Sequence, residues 1–90
     1  MVDRNILFFN EFVPFLQNLY KELELNNELD YLKETNYVIK MRLGVSQTEF
    51  LGESRFYLER IINQKPNISS DTMGKVKHYK KLIDDAFRRW

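Results

Sequence analysis

The sequence contains no cysteine and only one histidine. Without cysteine there can be no disulfide bridge, no thiolate zinc ligand and no thiol nucleophile. A single histidine gives little support for a metal site or for a Ser-His-Asp catalytic group. We therefore expect a protein that is not an enzyme and that uses no metal and no cofactor. Since small secreted domains usually depend on disulfides, we also expect it to be cytoplasmic.

Long apolar segments are also missing. The longest apolar runs, such as residues 6–9 (ILFF), are far shorter than the roughly 20 residues that cross a bilayer. The first residues include Asp3 and Arg4 and lack the features of a signal peptide. Only three glycines occur, and they form no phosphate-binding loop. These absences predict no membrane association and no small-molecule substrate.

Proline and glycine are scarce, at two and three residues, and no Asn-Gly or Asp-Gly turn is present. No segment alternates apolar and polar residues with the period of a strand. Hydrophobic residues make up 43% of the 90-residue chain, which is enough for one core. The sequence therefore predicts a single all-α domain, residues 1–90, folded as a compact bundle of four to six helices.

Charge is divided unevenly along the chain, although the net charge is only +1. Residues 1–34 contain three Lys and Arg against seven Asp and Glu, a net charge of −4, and they are rich in aromatic residues. Residues 35–90 contain eleven Lys and Arg against six Asp and Glu, a net charge of +5. This pattern indicates an acidic, aromatic N-terminal part and a basic C-terminal part with different tasks.

The helical spacing of Phe and Leu predicts a first helix within residues 6–25. Two starting points are open. The helix begins with Asn10 as its cap and Pro14 in its first turn, or it begins near Asp3 and kinks at Pro14.

Two short helices are expected next. Residues 26–27 (NN) interrupt the first helix, and a second helix follows over residues 27–32. Residues 35–36 (TN) then provide a cap for a third helix over residues 37–43. Gly44 is expected to close that helix in a left-handed conformation.

The next segment carries two cap signals close together. Ser46 and Glu49 form a capping box, which predicts a very short helix ending at Gly52. Ser54 is then expected to cap a further helix over residues 55–63.

The last helix is predicted to begin at Ser69 or Ser70. Its apolar stripe is Met73, Val76, Tyr79 or Lys80, Ile83, Phe87 and Trp90. We interpret its opposite face as solvated, with Lys75, Lys77, Lys81 and Arg88. The predicted core of the whole chain includes Phe12, Leu16, Leu19, Ile39, Phe50, Ile61, Val76, Ile83 and Phe87.

Three segments of the second half match a known sequence pattern. Residues 44–50 (GVSQTEF), 52–65 (GESRFYLERIINQK) and 67–72 (NISSDT) are similar to successive parts of the phage repressor and Cro-like (Xre-type) helix-turn-helix proteins. The resemblance covers about residues 37–85, roughly half the chain, with a shortened first motif helix. It implies a turn at Gly52 followed by a recognition helix whose first turn enters the major groove.

The resemblance also implies a set of DNA-binding residues. By position these are Gln47, Ser54, Arg55, Phe56, Glu59, Asn63 and Lys65. Arg55 and Phe56 would face base edges, since arginine pairs with guanine and phenylalanine packs on a thymine methyl. A second register stays open, in which Gly44 is the turn glycine and residues 47–53 form the recognition helix.

The expected function is sequence-specific binding of double-stranded DNA, as a small transcriptional regulator or an accessory DNA-binding factor of a mobile element. A homodimer would pair two half-sites and so multiply specificity. The alternative is a small helical protein-binding module, an antagonist or adaptor, that acts through its acidic and aromatic N-terminal surface. The modest isoelectric point near 7.9 favours this alternative, because nucleic-acid-binding domains are often more basic.

Overall fold

The structure, a computed structural model, describes the backbone of residues 2–88 and the side chains of residues 10–88. The described residues form four helices and no strand: α1 (Val2–Leu25), α2 (Leu29–Gly44), α3 (Gln47–Gln64) and α4 (Ser70–Arg88). The predicted all-helical, compact fold is confirmed, with a radius of gyration of 12.6 Å. None of the described helices is long and apolar enough to cross a membrane.

Helix α1 runs without a break past Pro14, which lies inside it. The helix therefore starts well before Asn10, and the prediction of Asn10 as its cap is wrong. Asn10 and Pro14 are both exposed, so the Asn10 carbonyl, which loses its helical donor to the proline, can bond to water. The apolar spacing that predicted the helix marks its buried face: Phe12, Phe15, Leu16, Leu19 and Leu23.

Helix α2 is one helix where the sequence predicted two. The break at residues 26–27 is confirmed, and Asn27 adopts a left-handed conformation with φ of 59°. No second break follows, because Thr35 is buried in the middle of α2 and caps nothing. Its hydroxyl donates to the Tyr31 carbonyl at 2.6 Å and contacts the Tyr57 hydroxyl of α3. Thr35 therefore contributes to the packing of α2 against α3 and does not start a helix.

Helix α3 is also continuous, and the predicted turn at Gly52 is wrong. The predicted serine cap at its start is confirmed, because the Ser46 hydroxyl accepts a hydrogen bond from the Glu49 backbone N–H at 3.2 Å. Ser54 caps no helix and lies completely buried inside α3. Apolar residues recur with helical spacing on both sides of Gly52, so core packing outweighs the cost of about 1 kcal/mol for glycine in a helix. These residues are Phe50, Leu51, Tyr57, Leu58 and Ile61.

Two carboxylates from the N-terminal half of the chain form hydrogen bonds with the start of α4 and the loop before it. The Ser69 hydroxyl caps the helix and accepts a hydrogen bond from the Thr72 N–H at 3.1 Å. The Glu22 carboxylate accepts from the Ser69 N–H and, at 2.6 Å, from the Thr72 hydroxyl. Glu28 accepts from the Asn67 N–H in the preceding loop. Part of the acidic charge of the N-terminal half is therefore used inside the fold.

One apolar cluster joins all four helices. Each helix packs on the next one along the chain. The rings of Phe12 and Phe15 lie 5.1 and 4.9 Å from the ring of Tyr79, measured between centroids. These contacts bring α1 against α4 and close the bundle.

Most of the predicted core is buried in the structure. The buried members are Phe12, Leu16, Leu19, Phe50, Ile61, Val76 and Ile83. Ile39 and Phe87 pack against the core but are only half-buried. Trp90, the last residue of the predicted stripe, lies outside the described residues.

Candidate binding surface

The seven predicted DNA-contact residues lie on or next to α3. Ser54 is completely buried, so the prediction that it contacts DNA is wrong. The others are exposed: Gln47, Arg55, Phe56, Glu59, Asn63 and Lys65. They do not form one group, since Gln47 begins the helix and Lys65, in a left-handed conformation, follows its end.

Helices α2 and α3 lie side by side along their lengths. A short connection from Gly44 to Gln47 joins them at one end. At the other end, the Tyr31 hydroxyl donates to the Gln64 side chain at 2.7 Å. The two helices of a helix-turn-helix instead diverge from their turn at about 90–120°. The second register predicts the start of α3 at Gln47 correctly, but Gly44 still belongs to α2 and is not left-handed, and α3 continues to Gln64. A helix-turn-helix is not confirmed.

Polar contacts between α2 and α3, one half-exposed and one buried, hold the two helices together. Arg60 and Glu34 pair at 2.7 Å, and the Thr35 and Tyr57 hydroxyls bond to each other. Burial raises the pKa of the Tyr57 phenol far above its usual range, so this group stays protonated. Within residues 10–88, no three His, Asp or Glu side chains converge to hold a metal ion.

Arg55, the residue expected to read bases, is held in a contact between α3 and α4. Its Nε lies 2.6 Å from Asp84 Oδ1, and its guanidinium lies over the Phe87 ring, 5.6 Å from the centroid. Lys80 Nζ approaches the other Asp84 oxygen at 2.7 Å. The side chain of Arg55 is 44% exposed, but the ion pair keeps it against α4.

Asp84 remains ionised between these two cations. Burial alone would raise the pKa of Asp84, but the hydrogen bond and charge of Lys80, together with the charge of Arg55, hold it below its usual range. One carboxylate thus faces two cations at the seam between α3 and α4. The contact of Asp84 with Arg55 fixes how α3 packs on α4, and so it determines which faces of the two helices are exposed.

Phe56 lies at the centre of the solvent face of α3 and is 70% exposed. Residues three, four or seven positions away share its side of the helix. Three of them are exposed glutamates: Glu49, Glu53 and Glu59. Arg60, four residues on, already pairs with Glu34 of α2. The solvent face of α3 is therefore acidic around an aromatic centre.

The neighbouring helix α4 presents a stripe of cations. Lys77 and Lys81 lie seven and three residues before Asp84, and Arg88 lies four residues after it. This spacing places all three beside Asp84, and all three are exposed. Arg88 makes a loose contact with Asp85 at 3.8 Å, and within residues 10–88 Lys77 and Lys81 form no ion pair.

The exposed stripes of the two helices form one surface, which we call the α3–α4 face. Its members are Phe56, Glu59 and Asn63 on α3, and Lys77, Lys81 and Arg88 on α4. The helices run antiparallel, with Gly52 against Phe87 and Arg55 paired with Asp84. Glu59 lies one turn beyond Arg55, and Lys81 lies about one turn before Asp84, so the two stripes lie side by side along the seam. Helical spacing identified these cations from the sequence, but it did not predict that Phe56 and Glu59 of α3 lie beside them.

Comparisons with known proteins give no assignment. No protein-family model, no curated protein and no solved structure matches this chain. The resemblance to helix-turn-helix regulators thus stays a prediction from the residues, and the function has to be argued from the α3–α4 face itself.

Proposed function

We propose that the protein is a non-catalytic helical module that binds another protein through the α3–α4 face. The observation that carries this proposal is Phe56, a large aromatic side chain that stays 70% exposed on a folded helix. Burying a phenylalanine contributes about 1.5–3 kcal/mol, and aromatic residues are common anchors at the centre of protein interfaces. The core of this chain makes little use of the ring, whereas a partner would bury it.

The charges around Phe56 support a protein ligand for α3. A charged rim around an apolar centre is the usual anatomy of a protein interface. A helix in the major groove lies between two phosphate backbones, which would repel the glutamates on the solvent face of α3. The proposed surface also differs from the N-terminal surface expected from the sequence, because Glu22 and Glu28 already bond within the chain.

We expect a photoreactive group at position 56 to capture the partner. Phe56→p-benzoylphenylalanine in the full chain keeps an aromatic side chain at the centre of the face. Irradiation in an extract of the source cells should give one discrete adduct, whose mass identifies the partner as a second copy or another protein. Excess parent protein should compete the adduct away, whereas excess Phe56→Asp protein should not, since it lacks the apolar anchor.

The matched control carries the same group at Glu24, an exposed position on α1. The same adducts from both positions, or no competition by the parent protein, would show that the α3–α4 face does not bind protein. Circular dichroism of the Phe56→Asp protein checks that it is folded.

Double-stranded DNA is the second candidate ligand, favoured by the cations of α4. Lys77, Lys81 and Arg88 lie in one exposed stripe, and such cations bind phosphates in a salt-dependent way. Phe56 and Glu59 are exposed side chains beside this stripe, where a transcriptional regulator or accessory factor would need its base contacts. We therefore keep DNA binding as a proposal, with phosphate contacts from α4 as its main support.

If DNA is the ligand, a mixed-sequence duplex should bind at low salt and lose affinity steeply as salt rises. Lys81→Ala should lower the slope of log affinity against log salt by about one, because one phosphate contact is lost. Lys21→Ala removes the same charge from α1 and should leave the slope unchanged. Fluorescence anisotropy of a labelled duplex measures both slopes. No salt-dependent binding, or equal slopes for the two variants, rejects this candidate.

A further inference from the structure

We infer that the α3–α4 face binds a second copy of this chain, an inference that rests on the proposed function. The two copies pack face to face around a twofold axis that runs parallel to α3 and α4. The acidic, aromatic stripe of α3 then lies on the cationic stripe of α4 of the other copy, and the same contact occurs twice.

The charge pattern is the first argument for this partner. The face carries two parallel stripes, with Glu59 beside Phe56 and Asn63 on α3 and the cations Lys77, Lys81 and Arg88 on α4. A twofold axis between the stripes exchanges them, so the surface is complementary to itself. Opposite charges across an interface steer association and fix its register.

The charges also select between the two symmetric ways of joining this face. With the axis parallel to the helices, α3 lies on α4 of the second copy. With the axis in the interface but perpendicular to the helices, α3 lies on α3 and α4 on α4. That arrangement sets glutamate against glutamate and lysine against lysine, which costs free energy.

The register of the helices is the second argument. A twofold axis parallel to the helices leaves the height of every residue along that axis unchanged. Each α3 residue therefore faces the α4 residue that lies at the same height in its own chain. Gly52 is level with Phe87, and Arg55 is level with Asp84. One turn further along α3, Glu59 is level with positions 80–81.

This register brings opposite charges together at two places. Glu59 faces Lys81 of the second copy, and the twofold axis repeats this pair with the two copies exchanged. Phe56 lies about one turn from Glu59 along α3, level with position 83 of α4, and is 70% exposed. An aromatic anchor beside ion pairs is an arrangement typical of a specific interface.

Charge reversal in the full chain tests the inference. The parent protein, with a mass of 11.0 kDa, should form a dimer of twice that mass in a concentration-dependent way, measured by sedimentation equilibrium. Glu59→Lys alone and Lys81→Glu alone should each weaken the dimer about tenfold or more, because each reversal sets like charges together at two symmetric contacts. An equimolar mixture of the two variants should recover the affinity of the parent, since every reversed residue then meets an opposite charge.

The matched controls are Glu24→Lys and Lys21→Glu, which make the same charge changes on α1 and should leave the dimer unchanged. All four residues are exposed, and melting curves check that each variant is folded. A parent protein that stays monomeric at several hundred micromolar overturns the inference, as does a mixture that fails to recover. An adduct of position 56 with a different protein would then leave the proposed function standing, whereas absence of any competed adduct would remove both.

Discussion

Replacing Gly52 by proline should lower the free energy of unfolding by about 3 kcal/mol or more. In the continuous helix α3, the N–H of residue 52 bonds to the carbonyl of residue 48, and proline removes this bond and clashes with that carbonyl. Proline also drives the preceding residue, the buried Leu51, out of the helical conformation. Urea denaturation followed by far-ultraviolet circular dichroism measures the loss.

The control for this variant is Gln47→Pro, at the first residue of α3. Proline is well tolerated at that position, because the N–H it removes has no partner within the helix. A small change is therefore expected. If Gly52→Pro is no more destabilising than Gln47→Pro, α3 breaks at Gly52 as the helix-turn-helix resemblance implies, and the continuous helix is wrong.

Ile61→Ala is the second substitution with a large expected effect. Ile61 is completely buried in the centre of the core, so its truncation should cost about 2–5 kcal/mol in the free energy of unfolding. The neighbouring Ile62 is only half-buried, and Ile62→Ala makes the same chemical change. It should cost much less, because fewer of its contacts are lost. The same denaturation experiment compares the two variants directly.

Equal losses at the two isoleucines would mean that α3 presents a different face to the core. The same result would move Phe56 away from the centre of the solvent face, because Phe56 lies five residues before Ile61 on the same helix. The stability measurement is therefore also a test of the surface on which both proposals rest.

Local signals predicted the ends of the helices well where no long-range contact opposed them. The break at Asn26–Asn27 and the helix cap at Ser46 are both present in the structure. The same kind of signal failed at Thr35 and Ser54, which look like caps but are buried inside helices. The partner of Thr35 is Tyr57, 22 residues away, and nothing in the local sequence identifies that partner.

The α3–α4 face was likewise predicted only in part. Helical spacing identified the exposed cations of α4, and the predicted contact residues included the exposed Phe56. The ion pair of Arg55 with Asp84 could not be predicted, since it depends on how α3 packs on α4. That packing removes Arg55 as a free side chain and brings the acidic stripe beside the basic one.

The hydrogen bonds of Glu22 and Glu28 to the start of α4 have a consequence for how this chain becomes folded. They join residues that are 39 to 50 positions apart, about half the length of the chain. Contacts of such long sequence separation form only after a large loop has closed, which slows folding. During synthesis, these carboxylates have no partners until Asn67 to Thr72 have left the ribosome. The change of charge at residue 34 is therefore not a boundary between folding units, since the first turn of α4 is completed by residues from the opposite half of the chain.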